Sequence, residues 1–516
     1  MSINGESQVK GGTRERVPIR QLPTGVPGLD QILGGGLPEY SFNILAGAPG
    51  CGKTTLAHQF MFANASPKTP ALYFTVLGEP AIKMLRYQQQ FTFFDDAKLD
   101  GAIKFINLSK LVMEEDLGAV LAAIMKEVEA SDAKIVVVDS FRTVVRKLKA
   151  GVSEMEVQGF VQRLALNLSS CHATTFLIGE YVEGELRDNP VFTVADGLIW
   201  LYQIAERNSV VRKLQVMKLR GQESVPGLHT FRITESGLQT FPRNFGLIGE
   251  SNRMKGARRL STGIAKLDAL LGGGIPEGDS VLLAGPSGSG KSTIGSHFVA
   301  EGLKRGEPGL VAVFEEIPAE YLQRAAALGF DFATPLKEGL LKVIYLRPLD
   351  LSVDETVHEI VNSVKAIGCK RLVVDSLVGF ELALAPAFRT DFRESLYRMI
   401  AALTRLGVTI VSTVEVEEDF TSLNLSNFTV SFLADDILRL RYVSINGQLR
   451  KMMLVVKMRR SGHSINMCEY QITQNGVVVG EPLRGYQGLT TGIPGPWAQH
   501  WNGKGLPPLQ GEEEDA

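Results

Sequence analysis

Short apolar runs rich in Val, Ile, Leu and Phe recur along this chain, separated by stretches of helical periodicity. FNILAG from Phe42, ALYFTV from Ala71, IVVVDS from Ile135, TTFLIG from Thr174 and GLIWLY from Gly197 form one series. SVLLAG from Ser280, VAVFEE from Val311, RLVVDS from Arg371, VTIVST from Val408 and DILRLR from Asp436 form a second. Near-continuous apolar character marks strands buried on both faces, and helical segments between them supply the crossovers of a mainly parallel sheet. The pattern predicts an α/β fold with helices flanking each sheet.

The two series are copies. LPTGVPGLDQILGGGLPEYSFNILAGAPGCGKTT starts at Leu22 and LSTGIAKLDALLGGGIPEGDSVLLAGPSGSGKST at Leu260, an offset of 260 − 22 = 238. Asp139 recurs as Asp375, offset 236, and KLRG from Lys218 recurs as KMRR from Lys457, offset 239. Three landmarks held in register imply a duplicated domain. We expect a flexible N-terminus over 1–19, a first domain over 20–246, a linker over 247–257, a second domain over 258–485 and a Gly/Pro-rich acidic tail over 486–516. Trp497 and Trp501 in that tail read more readily as part of a loosely packed extension than as a docking point for a partner.

Composition narrows the field. Hydrophobic residues make up 44% of the 516, enough for sizeable cores. A formal net charge of −2 disfavours a general polyanion binder. The four cysteines, Cys51, Cys171, Cys369 and Cys468, include no CxxC pair and read as reduced thiols. No apolar run approaches the ~20 residues of a membrane span, and the N-terminus lacks a signal-peptide core. A cytoplasmic protein without membrane attachment is expected.

The chemistry lies in two phosphate loops. Gly47, Ala48, Pro49, Gly50, Cys51, Gly52, Lys53 and Thr54 fit GxxxxGK[ST], as do Gly285, Pro286, Ser287, Gly288, Ser289, Gly290, Lys291 and Ser292. Each follows a strand and opens a helix, with Thr55 and Thr293 next in line. Glycines let backbone N–H groups converge on phosphate oxygens, and the helix N-terminus adds partial positive charge. Lys53 and Lys291 should reach the β- and γ-phosphates of ATP. Thr54 and Ser292 should hold Mg2+, with Asp139 and Asp375 as the carboxylates at the ends of apolar strands. A base or orienter for the attacking group is offered by Glu315 and Glu316, with Glu316 the stronger candidate and Glu315 assisting. At the matching place the first copy has Leu77-Gly78, leaving Glu79 one step beyond as a weaker substitute or a surface acid. The two sites are therefore chemically unequal.

With these residues in place the chain resembles the KaiC family, double-domain RecA-like ATPases and autokinases of the cyanobacterial clock. The likeness spans roughly 20–485 and rests on the TGxxxLDxxLGGG(L/I)PE lead-in, the paired loops, FEE and KLRG/KMRR. It implies two tandem RecA-like P-loop domains and a homohexamer of two stacked rings with ATP between subunits. In that arrangement Lys218 and Arg220 reach the γ-phosphate on the neighbour's first domain, and Lys457 and Arg459 do so in the second ring. Phe330 falls where the family packs an aromatic on adenine, although a core phenylalanine fits the sequence nearly as well. The family's phosphorylated Ser-Thr pair falls on Ser431 and Phe432, so one acceptor remains, with Thr429 and Ser426 nearby. The tail is unlike the segment that binds KaiA, which argues against KaiA control, whereas a KaiB-like partner stays open. Two rival readings are a RecA/RadA/DnaB-like DNA-dependent ATPase, for which only FRTVVRKLK from Phe141 supplies a basic run, and an ATP-assembled scaffold without catalysis. Nucleic acid is not expected as a partner.

Overall fold

The computed structural model describes residues 19–76, 81–99, 101–141, 154–182, 184, 189, 191–206, 209–243, 258–346, 352–382, 392–416, 434–487 and 495–496. The chain divides into two compact units, Met1–Arg243 and Asn244–Ala516.

Among the described residues the first unit holds β1 (Phe42–Gly47), β2 (Ala71–Thr75), β3 (Ile103–Asn107), β4 (Ile135–Asp139), β5 (Thr174–Glu180), β6 (Gly197–Glu206), β7 (Ser209–Leu219), β8 (His229–Thr234) and β9 (Gly237–Phe241). They form one sheet in the order β9-β8-β7-β6-β1-β5-β4-β2-β3. The second unit repeats this with β10 (Ser280–Gly285), β11 (Gly309–Val313), β12 (Leu341–Tyr345), β13 (Arg371–Asp375), β14 (Thr409–Glu415), β15 (Asp436–Ile445), β16 (Gln448–Met458), β17 (Cys468–Thr473) and β18 (Gly476–Pro482). Its order is β18-β17-β16-β15-β10-β14-β13-β11-β12. In each sheet the loop-bearing strand lies between parallel neighbours, β5 and β6 in one and β14 and β15 in the other. The expected mainly parallel α/β fold is thus found twice. Beyond it each sheet adds an edge strand (β3, β12) and an antiparallel meander (β7–β9, β16–β18).

Each sheet is buried on both faces. Phe42, Ile44 and Ala46 of β1 enter one core, whereas Leu45 enters the other. Leu282 and Ala284 of β10 likewise part from Val281 and Leu283. This is the period of two expected of a strand covered on both sides. The covering helices carry apolar stripes at helical spacing: Val120, Ile124 and Val128 on α3 (Leu117–Ser131), and Val357, Ile360, Val361 and Val364 on α7 (Val353–Ile367). Asp116 caps α3 by accepting from Ala119 N at 2.9 Å, and Ser352 with Glu355 forms a capping box on α7.

The foot of the central strand is anchored alike in both copies. Asp196 Oδ2 accepts from Phe42 N at 3.1 Å, and Asp435 Oδ2 accepts from Ser280 N at 3.2 Å. The second copy then adds charge where the first has Ser41, Gly197 and Gly221: it places Asp279, Asp436 and Arg460 there. Arg460 pairs with Asp279 at 3.0 Å. Asp436 is 1% exposed, and neither carboxylate oxygen has a hydrogen-bond partner among the described residues. Burial, and then the charges of Asp279 and Asp435, push its carboxyl up to about 7.

Because the folded carboxyl titrates above its usual 3.8, folding favours the protonated form. Its contribution is complete at pH below 4 and is lost as pH rises through about 7. At ~1.4 kcal/mol per pH unit the ceiling is ~4 kcal/mol. Asp436→Asn is therefore expected to stabilise the second domain increasingly from pH 5 to pH 8. Thermal melts of wild type and variant across that range check this, and a difference that does not change with pH contradicts it.

Candidate nucleotide sites

Both phosphate loops join the C-terminal end of a central strand to a helix: α1 (Lys53–Asn64) after β1, and α5 (Lys291–Lys304) after β10. The turn needs residues that L side chains cannot replace cheaply. Gly50, Gly52, Gly288 and Gly290 have φ of 75°, 102°, 72° and 94°. The N-caps Gly52 and Gly290 offer no side-chain cap, which leaves first-turn N–H groups for an anion. Lys53 Nζ donates to the carbonyls of Gly47 (2.9 Å) and Ala48 (2.7 Å); Lys291 Nζ does the same to Gly285 and Pro286, both at 2.8 Å. Each ammonium is thereby held across its loop. The side chains of Cys51 and Ser289 turn inward: Cys51 Sγ lies 3.6 Å from Lys53 Nζ, and Ser289 Oγ donates to Pro286 O at 2.7 Å. Any contact these two make with phosphate is through the backbone.

In the first site Thr54 Oγ1 donates to Asp139 Oδ2 at 2.7 Å, and the buried Tyr73 hydroxyl donates to the same oxygen at 2.6 Å. Burial raises the Asp139 carboxyl, while the bonds from Tyr73 and Thr54 and the charge of Lys53 pull it back. In the second site Asp375 Oδ1 accepts from Thr413 Oγ1 at 2.5 Å, and Glu315 Oε1 accepts from Ser376 Oγ at 2.6 Å. Glu316 is clasped by Arg324. A cleft of about 410 Å3 brings together Ser287, Gly288, Gly290, Lys291, Ser292, Thr293, Glu315, Glu316, Arg324, Asp375, Ser376 and Glu415. Register explains the convergence, since Val313, just before Phe314-Glu315-Glu316, pairs with Asp375, and Gly285 pairs with Glu415.

Hydroxyl and carboxylate oxygens are hard donors suited to Mg2+, which takes few protein ligands and completes its shell with water and phosphate. Among the described residues no cluster of three or more His, Cys, Asp or Glu could hold a metal alone. Thr54 and Asp139, hydrogen-bonded at 2.7 Å, form a hydroxyl–carboxylate pair of the kind that fits a cation shared with a nucleotide.

The family model described as the KaiC ATPase matches twice, over residues 22–244 and 260–484. The chain belongs to the KaiC family of ATPases. It is 28% identical over 486 residues to a circadian clock oscillator protein KaiC of a Picosynechococcus species, covering 92% of each chain. It is 26% identical over 505 residues to that of Acaryochloris marina, covering 96% of this chain and 95% of the relative. KaiC 1 of a Synechocystis species is 27% identical over 493 residues, with 93% and 92% covered. Membership of the KaiC family carries ATP binding and ATPase activity. No described helix is long and apolar enough to cross a membrane.

The late lysines that the KaiC resemblance singles out, Lys218 and Lys457, lie toward the opposite end of the sheet from the phosphate loop of their own copy. Lys218 pairs with Leu198 and Lys457 with Ile437, near the feet of β6 and β15. Gly47 and Gly285 end β1 and β10 three residues beyond the partners of those positions, Ile44 and Leu282, a rise of ~10 Å. Lys218 Nζ donates to Thr193 O at 3.1 Å and Lys457 Nζ to Ala434 O at 2.7 Å. Arg220 pairs with Asp196 at 3.2 Å and Arg459 with Asp435 at 3.5 Å. Phe330 packs edge-on to His297 of α5 and stacks with Phe332, in the same apolar cluster as Ile472, which lines the cleft. Glu79, Ser431, Thr429, Ser426 and the basic run after Phe141 lie outside the described residues.

Sequence reasoning passed over Tyr73, Thr413, Ser376, Arg324 and Glu415. Glu415 is within its reach, because Glu180 and Glu415 each end the corresponding strand of their copy. Tyr73 matters most for the first site. Its replacement in Tyr73→Phe pushes Asp139 further up, so Mg2+-dependent nucleotide binding there should fail at higher pH than in wild type. With the second site disabled by Lys291→Ala, fluorescent ATP titrations should show the variant binding about tenfold weaker at the acid end of the pH range and converging with wild type as pH rises. Superimposable pH profiles contradict this role.

Proposed function

We propose that the second copy is the chemical centre of this KaiC-family ATPase and that the first copy is chiefly a nucleotide-holding site. The carrying observation is the convergence of Glu315, Glu316, Lys291, Ser292 and Asp375 on one cleft, where the first copy's sequence has Leu77-Gly78 in place of the paired acids. In this reading ATP binds with its phosphates along Gly47–Thr55 and Gly285–Thr293. Lys53 and Lys291 contact the β- and γ-phosphates. Thr54 with Asp139 and Ser292 with Asp375 hold Mg2+, which neutralises charge on the leaving phosphates.

Glu316 takes the proton of the attacking hydroxyl. Glu315, oriented by Ser376, fixes the geometry. The acceptor is water for hydrolysis and Ser431 for autophosphorylation. Glu79 is the first copy's remaining acid. Phe330, packed on His297 of α5, is the aromatic that the KaiC resemblance places against adenine.

The chain works as a homohexamer of two rings with ATP at subunit boundaries. Lys218 and Arg220, and Lys457 and Arg459, serve the neighbouring subunit's phosphates. Their distance from the loop of their own copy supports a role in trans. Such a cation makes turnover depend on assembly. The output is regulatory signalling of the kind the clock relatives' names describe.

Full-length protein with γ-labelled ATP and Mg2+ tests the assignment. Glu316→Gln should lower turnover by ~100-fold or more with nucleotide binding kept, and should abolish labelling. Ser431→Ala should abolish labelling and keep hydrolysis. Unchanged turnover in Glu316→Gln overturns the catalytic assignment.

A further inference from the structure

Glu316, the base of the proposed reaction, is not free to act in the arrangement described. Both of its oxygens are taken by one guanidinium: Arg324 Nη2 reaches Oε1, and Nε donates to Oε2 at 3.3 Å. A carboxylate forked in this way by a permanent cation is a poor proton acceptor. Yet Arg324 lines the same cleft as Lys291, Ser292 and Asp375, where the phosphates of ATP must lie. Among the lining residues the cations are Lys291 and Arg324, facing Glu315, Glu316, Asp375 and Glu415.

The geometry points to Arg324 as a catalytic residue of the second site that exchanges partners, leaving Glu316 for the γ-phosphate of ATP and thereby releasing the base. The inference rests on the proposed assignment of turnover to the second copy.

Arg324 sits on α6 (Pro318–Ala327), one turn after Tyr321, so the two side chains share a face. Its guanidinium lies over the Tyr321 ring, 5.1 Å from the centroid. Tyr321 is 1% exposed, and its hydroxyl meets Ser296 Oγ at 3.1 Å. Ser296 belongs to α5, the helix that Lys291 opens. The arginine therefore rests on a platform tied to the phosphate-binding helix, with its head partly in solvent: its side chain is 35% exposed and that of Glu316 26%. A short swing about this platform exchanges a single carboxylate for a phosphate group of higher charge.

The first copy supports the coupling of these parts. At an offset of 238, Glu316 corresponds to Gly78, Tyr321 to Lys83 and Arg324 to Arg86. Where the acid is missing the platform is missing too, and Arg86 is exposed.

In the step itself, the acceptor water gives its proton to Glu316. Its oxygen forms the new bond to the γ-phosphorus, the bond from that phosphorus to the β,γ-bridging oxygen breaks, and ADP leaves with the electron pair. Arg324 then lies against the equatorial oxygens on which charge gathers. ADP, having no γ-phosphate, does not draw Arg324 away, so Glu316 is recaptured after each turnover.

The test uses the full chain carrying Arg324→Gln and, separately, Arg324→Lys. Hydrolysis rates are measured on each. Affinities for ADP and for a non-hydrolysable ATP analogue are measured by displacing a fluorescent nucleotide, with the first site disabled by Lys53→Ala. Arg324→Gln is expected to lower kcat ~100-fold and to cut the preference for the ATP analogue over ADP by ~10-fold, leaving ADP affinity within about twofold. Arg324→Lys should recover part of both. Unchanged kcat in Arg324→Gln, or an equal loss of affinity for both nucleotides, overturns the exchange. Glu316→Gln separates the two levels. If it stops turnover while Arg324→Gln does not, the exchange alone is wrong; if it leaves turnover intact, the second-site assignment fails first.

Discussion

Each domain depends on a backbone bend that glycine permits. Left-handed residues at Gly50 and Gly52, and again at Gly288 and Gly290, turn the chain from the end of a buried strand into a helix. That bend leaves amide N–H groups unclaimed at the helix start and folds a lysine back across the loop carbonyls. Everything else is arranged around this anion cradle. The sheet order places β4 and β13 so that Asp139 and Asp375 end beside it, and β5 and β14 so that Glu180 and Glu415 do. A doubly covered parallel sheet ends in a polar rim at the C-terminal ends of its strands, and that is where ligands bind in open α/β folds.

On this shared scaffold the two copies have diverged in the groups beside the phosphate loops. The first clamps its carboxylate with Tyr73 and has lost the paired glutamates from its sequence. The second keeps both glutamates, gives each a partner in Ser376 and Arg324, and holds Asp375 through Thr413. The divergence extends to the foot of the central strand, where Asp279, Asp436 and Arg460 replace uncharged residues. One architecture thus supports a site whose carboxylate is held by Tyr73 and a site whose paired acids are held by Ser376 and Arg324.

How far this was legible depends on the range of the interactions. The duplication, the buried strands and the phosphate loops can be read directly, because they rest on local pattern: apolar continuity, glycine spacing and a lysine after them. The antiparallel meanders escape the same reading. β7, SVVRKLQVMKL, mixes cations into its apolar positions, and its pairing partners decide its conformation. The groups that tune the acids escape it for a related reason. Tyr73 and Asp139 are 66 residues apart, and Asp375 and Thr413 are 38 apart; strand order alone brings them together. The distance of Lys218 and Lys457 from the loops of their own copies is likewise a matter of register.

The central claim is that one chain carries two such cradles, each complete for magnesium nucleotide. Calorimetric titration of the full chain with a non-hydrolysable ATP analogue, with and without Mg2+, tests it most directly. The account predicts two Mg2+-dependent sites per chain, one lost with Lys53→Ala and the other with Lys291→Ala. Binding that is insensitive to Mg2+, or a stoichiometry that neither substitution lowers, would contradict it.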